Sequence, residues 1–298
     1  MNLWRPIRSG LIAARAYSFP ASTVPVFVGA AYASTIRRLN STEIAWFLYT
    51  WVAATLLHAG CNLINDYYDW KNRVDEDHDL RSSAVDGTSD SVMKSIRLGG
   101  LVCLGIGSFI GLDIAIERSW SVLLIGTIGV GIAYFYTARP LGLKYRALGE
   151  LAVFLGMGPL MVFGTFIAIR QEWNKEVWLV SVPIGLMVTA ILYANNLRDF
   201  RNDASKGFVT LPMILGEKLA PLFFYCLIAG AYVIPIVFAV MTRSWRWLLP
   251  LVSMPLALRS VRRIRRGFPD SLDLLLNIDV VCARLHLVYG ILFIIGIN

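Results

Sequence analysis

Charge is scarce in this sequence. Of its 298 residues only 16% are Asp, Glu, Lys or Arg, while 56% are hydrophobic and the mean hydropathy is +0.60. Soluble domains carry roughly 25% charged residues, so the composition excludes an ordinary soluble fold and indicates a membrane protein. Cysteine and histidine are also sparse, at four and three residues. Cys61, Cys103, Cys226 and Cys282 fall singly in apolar surroundings without CxxC spacing, which argues against both a disulfide framework and a zinc site. A signal peptide is missing too: Arg5, Arg8 and Arg15 interrupt any short apolar run, and Pro20 and Pro25 follow, so the N-terminus is expected to stay attached.

What is abundant is apolar length. A bilayer-spanning helix needs about 20 apolar residues, and nine such runs are present, near 16–36, 43–65, 92–115, 119–137, 148–169, 177–196, 219–241, 245–260 and 274–297. The expected fold is an all-α multi-pass membrane protein, one domain over 1–298, with nine transmembrane helices. Sorted by loop, 20 Lys and Arg fall on one side and seven on the other, with Arg284 inside the last span. Under the positive-inside rule this places the N-terminus in the cytoplasm and the C-terminus outside, in the cell membrane. The run "RSVRRIRRG" from Arg259 reads as a topology anchor in contact with anionic lipid.

Negative charge, by contrast, is gathered. "NLINDYYDWKNRVDEDHD" (62–79) holds Asp66, Asp69, Asp75, Glu76, Asp77 and Asp79, in a chain of net charge +8. These carboxylates repel one another unless solvated or neutralised. On a helix His58, Asn62, Asp66 and Asp69, at spacings of four, four and three, line one face at the cytoplasmic end of the second span, with Asn65 beside it. The pattern returns in "NNLRDFRNDASKG", where Asn195 or Asn196, Asp199 and Asp203 end the sixth span. One such stretch reads as helix caps and solvated loop. Two, with matching spacing on the same side, read as a weak internal repeat around a shared site.

Carboxylate and amide oxygens suit magnesium, which is commonly shared with substrate phosphates. Neither set closes a coordination shell alone, so an anionic diphosphate is expected to complete it. Arg73, Arg81, Lys94, Lys144, Arg146, Arg198 and Lys206 lie in loops on the same side and can hold its outer oxygens. An ion-coupled carrier is the competing reading. It would set its ionisable residues near the midplane, whereas both clusters here run into hydrophilic loops. Arg15, Glu150 and Arg284 each read as a cavity residue or a structural pair, and His58 as a hydrogen bonder between helices.

At these residues the chain resembles the UbiA superfamily of intramembrane prenyltransferases. Its first motif stands as Asn65-Asp66-Tyr67-Tyr68-Asp69 with Asp75 beyond, and its second as Asn196-Leu197-Arg198-Asp199 and Asp203, then Gly207 and Thr210-Leu211-Pro212. "RAYSFPASTVPVFVGAAYA", "YTARPLGLKYRALGELAVFLGMGPLMVFGTF" and "HLVYGILFIIG" resemble other family segments in order, so the likeness covers nearly the whole chain. The Asp69-to-Asp75 spacing, the "NNLRD" doublet and "LGELAVFLGMGP" resemble the 1,4-dihydroxy-2-naphthoate polyprenyltransferase branch, although Arg73 stands where that branch commonly has Gly.

The resemblance implies a helix bundle around a central cavity under cytoplasmic cap loops. It implies two Mg2+ ions, one on Asn62, Asp66 and Asp69 and the other on Asn195 or Asn196, Asp199 and Asp203. Diphosphate contacts would come from Asn65, Asp75, Arg81, Lys94, Tyr136, Lys144, Arg146, Arg198 and Lys206, with Arg15, His58 and Glu150 along the cavity. The implied reaction is Mg-dependent transfer from a polyprenyl diphosphate to an aromatic acceptor, dihydroxynaphthoate with decarboxylation, in menaquinone synthesis. 4-Hydroxybenzoate, homogentisate or intramolecular cyclisation are the alternatives within the superfamily. The bilayer is the one macromolecular partner expected; neither nucleic acid nor an obligatory protein partner is inferred.

Overall fold

The computed structural model describes residues 18–71 and 90–297; Arg15, Arg73, Asp75 and Arg81 lie outside them. Within the described residues the chain is all-helical. The helices are α1 (Pro20–Ile36), α2 (Ser41–Lys71), α3 (Asp90–Glu117), α4 (Trp120–Phe135), α5 (Gly149–Arg170), α6 (Glu176–Arg198), the short α7 (Phe200–Ser205), α8 (Leu211–Thr242), α9 (Met254–Gly267) and α10 (Ile278–Ile297). Helices are forced on such a sequence, because in lipid each backbone N–H and C=O must be satisfied within its own segment.

Among the described residues six helical segments are long and apolar enough to cross a membrane: α2, α3, α5, α6, α8 and Leu272–Ile297. The other three expected spans differ. Helices α1 and α4 have 17 and 16 residues. The expected span 245–260 is not one apolar helix: a 3-10 segment, Trp245–Ser253, hands over to α9, which exposes Arg259, Arg262, Arg265 and Arg266. Pro250 and Pro255 lack the N–H that a continuous helix would need here.

The bundle is apolar outside as well as inside. Val240 and Met241 are 74% and 73% exposed, as lipid-facing positions should be. At the core α6 packs on α5, α8 and α10. Glycine permits the closest approach: a Cβ on Gly158 of α5 would lie 2.6 Å from the Gly185 Cα of α6. Beside that contact, Gly156–Leu160 forms a π-helical turn containing Pro159. Such turns mark places where the regular ladder gives way, and Gly156, Met157 and Leu160 line the main cavity.

The end opposite the acidic motifs is held by arginines. Arg170 donates to Glu43 (2.7 Å) and to the Ala33 carbonyl (3.0 Å), joining the ends of α1, α2 and α5. Arg118 donates to the carbonyls of Ala168 and Ile169 at 2.8 and 2.7 Å. These groups cap helix ends whose last carbonyls have no partner in the helix. The sequence registered them only as basic residues of the less charged side.

Candidate active site

A cavity of about 350 Å³ opens among α1 to α6 and is closed at one point by α10. Its walls are mostly apolar. Its polar groups include Asn62 and Asn65 of α2, Tyr136 and Lys144 of the α4–α5 connection, Asn195 of α6 and Asp279 of α10. One turn further along the same helices stand Asp66 and Asp69, and beyond Asn195 stand Asp199 and then Asp203 on α7. The two motifs thus continue the helices α2 and α6 whose Asn62, Asn65 and Asn195 line the cavity.

Asp69 is buried and densely bonded. It accepts from Lys144 Nζ at 2.7 and 2.9 Å, from the Tyr145 hydroxyl at 2.7 Å and from Asn65 Nδ2 at 2.9 Å. The connection carrying Lys144 and Tyr145 is itself pinned to the segment before α8. Ala147 N donates to Val209 O at 2.8 Å, and the rings of Tyr145 and Phe208 lie 4.9 Å apart. The backbone after the second motif thus holds a base against the first.

Asp199 ends α6 and accepts from Arg198 Nε and Nη2, both at 2.8 Å. Arg198 Nη1 also reaches Asp279 Oδ1 at 3.4 Å. Asp203 lies half-buried on α7. Burial first, and the neighbouring Asp199 next, push its carboxyl up to about 7; Asp69 adds to the rise, while Lys144 and Lys206 oppose it. Carboxylates from both motifs are therefore within electrostatic reach of one another.

The structure separates the asparagine pair left open by spacing. Asn195 lines the cavity, whereas Asn196 is buried and donates to Glu150 Oε1 at 2.8 Å. Glu150 accordingly forms a structural pair and is not among the cavity-lining residues. His58 lines the cavity wall and bonds Ser22 Oγ through Nδ1 at 2.9 Å, joining α2 to α1. Asn62 donates to Ser18 Oγ at 3.1 Å. Lys94 is 68% exposed, paired with Asp90 at 2.5 Å, and does not line the cavity; Arg146 and Arg284 are exposed. Two contributors escaped the sequence reading, Tyr145 and Asp279. Asp279 carries a signal, a lone carboxylate entering a long apolar run, of the same kind as Arg284 in that span.

The donor set fits a hard divalent cation. Among the described residues no three of His, Cys, Asp or Glu close a cage by themselves. The carbonyl Oδ1 of Asn65 is buried without a hydrogen-bond partner, as are the hydroxyls of Thr137 and Thr210 on segments framing the same end. An orphaned buried acceptor costs about 1–3 kcal/mol, and a cation beside Asn65 and Asp69 would satisfy it.

A profile of the UbiA prenyltransferase family matches residues 22–273. The chain belongs to that family. It is therefore a membrane-embedded prenyltransferase. Over 287 residues it is 28% identical to the 1,4-dihydroxy-2-naphthoate octaprenyltransferase of Bacillus subtilis, covering 95% of this chain and 90% of that one. Over 294 residues it is 28% identical to a UbiA prenyltransferase domain-containing protein 1 homolog of Drosophila melanogaster, covering 97% and 79%. A UbiA homolog from Archaeoglobus fulgidus, bound to GPP and Mg2+, shares the fold with a TM-score of 0.63 at 16% identity, over 96% of this chain and 99% of that one.

Proposed function

We propose that this UbiA-family chain carries a polyprenyl group from its diphosphate to 1,4-dihydroxy-2-naphthoate, with loss of carbon dioxide, at the cytoplasmic face of the cell membrane. One observation carries the reading: beside an apolar cavity, Asp69 of the first motif is bonded by Lys144 and Tyr145 of a connection pinned to Val209, just behind the second motif. The Bacillus relative, similar over nearly the full length of both chains, supports the acceptor.

Asn62, Asp66 and Asp69 would hold one magnesium ion, and Asn195, Asp199 and Asp203 the second; Asn196 is committed to Glu150. Asn65 presents an orphaned carbonyl oxygen and so suits a cation better than the diphosphate oxygens that the resemblance implies for it. Bound magnesium neutralises diphosphate and makes it a better leaving group. Lys144, Arg198 and Lys206 supply positive charge that is fixed before the bond breaks, and Tyr136 lines the cavity.

The apolar walls exclude water from the allylic cation left when the carbon–oxygen bond breaks with its electron pair on diphosphate. The carboxyl-bearing ring carbon attacks that cation. Carbon dioxide then leaves, its bonding pair returning to the ring.

The test incubates membranes containing the chain with labelled polyprenyl diphosphate, Mg2+ and separate acceptors, and identifies products by mass. Prenylated, decarboxylated naphthoate is expected, and none from 4-hydroxybenzoate or homogentisate. A cyclised hydrocarbon formed without acceptor would overturn the reading. Asp66→Ala and Asp199→Ala should each lower transfer about 100- to 1000-fold while leaving membrane insertion intact, as expected on losing preorganised charge at the reacting group.

A further inference from the structure

Each acidic motif already has a carboxylate engaged by a cation of the chain itself. Both oxygens of Asp69 are within 2.9 Å of Lys144 Nζ, and both oxygens of Asp199 are bonded by Arg198 at 2.8 Å. Lys144 comes from the α4–α5 connection and Arg198 from the last turn of α6, so one arrangement is built twice from unrelated elements. Arg198 has a second partner in Asp279, which is buried in the first turn of α10 and lines the cavity.

We propose that Lys144 and Arg198 are resident counter-cations that hold the two motif carboxylates in the metal-free site and pass to the diphosphate on loading, with Asp279 steering Arg198 as it leaves Asp199. The inference rests on the magnesium–diphosphate reading above and deepens it.

The argument is one of charge. An oxygen that accepts an ammonium at 2.7 Å cannot also ligate a divalent ion without bringing two cations together in a partly buried place. Lys144 must then leave, and a departing ammonium needs an anion. The diphosphate is one, and the Lys144 side chain, 22% exposed against 3% for Asp69, lines the cavity that would receive it. Arg198 can turn without losing all its bonds, because its Nη1 is already directed at Asp279. Metal without diphosphate thus meets resident cations, and diphosphate without metal meets bases still engaged. Each ligand raises the affinity of the other, by the same factor. A metal–pyrophosphate complex in solution produces coupling of its own, so the specific readout is metal binding alone.

Mn2+ binding is measured by electron paramagnetic resonance on the purified full chain in nanodiscs, with and without inorganic pyrophosphate. Lys144→Met and Lys144→Gln should bind Mn2+ alone about tenfold tighter than the wild type, and their gain from pyrophosphate should shrink by a similar factor. Lys144→Arg, which keeps the charge, should restore weak binding. Asp279→Asn should weaken binding of Mn2+ alone severalfold, because Arg198 then loses the carboxylate that competes with Asp199 for it.

A merely structural Lys144 would lower the melting temperature without tightening metal binding. Folded Lys144 variants that bind Mn2+ no better than the wild type would overturn the counter-cation role; pyrophosphate-dependent Mn2+ binding in those same proteins would leave the proposed function standing. Failure of every protein to bind Mn2+ under both conditions would overturn the two together.

Discussion

Asp203 shows how much a single residue can report. An unfolded carboxyl releases its proton near 3.9, but folded, metal-free Asp203 keeps it up to about 7 because burial and Asp199 disfavour the charge. Between those values the folded chain binds the extra proton, so this group costs stability progressively as the pH rises through about 7. A metal ligand must be ionised. Magnesium should therefore raise the melting temperature more at pH 8 than at pH 6, a difference thermal scans in detergent would read; an equal shift at both values would remove Asp203 from the metal site. The asparagine pair offers a cleaner contrast. Asn196→Ala leaves buried Glu150 short of a donor and should cost about 1–3 kcal/mol of stability with little change in metal dependence. Asn195→Ala should do the reverse. Spacing of three or four allows either residue on the motif face, which is why the sequence left them open; only the rotation of α6 against α5 decides. Asp279 was hidden for a related reason, since its relevance comes from where α10 packs.

At the scale of elements, what the sequence disclosed was mainly length and hydropathy. Long uninterrupted apolar runs became α2, α3, α5, α6 and α8. The eighth expected span did not, because Pro250 and Pro255 act on backbone bonding, to which an average over apolar residues is blind. The ends of the elements carry interactions that composition cannot show. Arg170 and Glu43, with side chains 2% and 4% exposed, tie three helix ends together. Arg170→Ala leaves Glu43 with Arg37, which is 61% exposed, and breaking a buried pair costs about 3–5 kcal/mol. Thermal unfolding in nanodiscs should therefore shift sharply downward. Prenyl transfer measured well below the melting point should remain, since the clasp lies at the end away from the acidic motifs. A variant as stable as the wild type would show the pair to be ornamental to the bundle.

For the whole molecule, sidedness links the fold to its chemistry. The proposed reaction needs the end beside Asp69, Asp199 and Asp203 to face the compartment that holds diphosphates, and with nine crossings the 20-to-seven distribution of basic residues would put those loops in the cytoplasm. Membrane crossings then decide where the C-terminus lies. Among the described residues six helical segments meet the length of a full span, an even number that would return the chain to its starting side. Nine crossings would leave it outside, and they require α1, α4 and the Trp245–Gly267 segment to complete a passage despite their shortness or their prolines. The exposed arginines of α9 favour this, because they belong on the cytoplasmic side and the apolar α10 follows them. Alkaline phosphatase, active only outside the cytoplasm, should be inactive when fused after Gly267 and active when fused after Asn298. A fluorescent protein that matures only in the cytoplasm should give the opposite pattern. Equal behaviour at both junctions would mean that α10 does not cross and would overturn the nine-crossing topology, in spite of the 20 apolar-rich residues of α10.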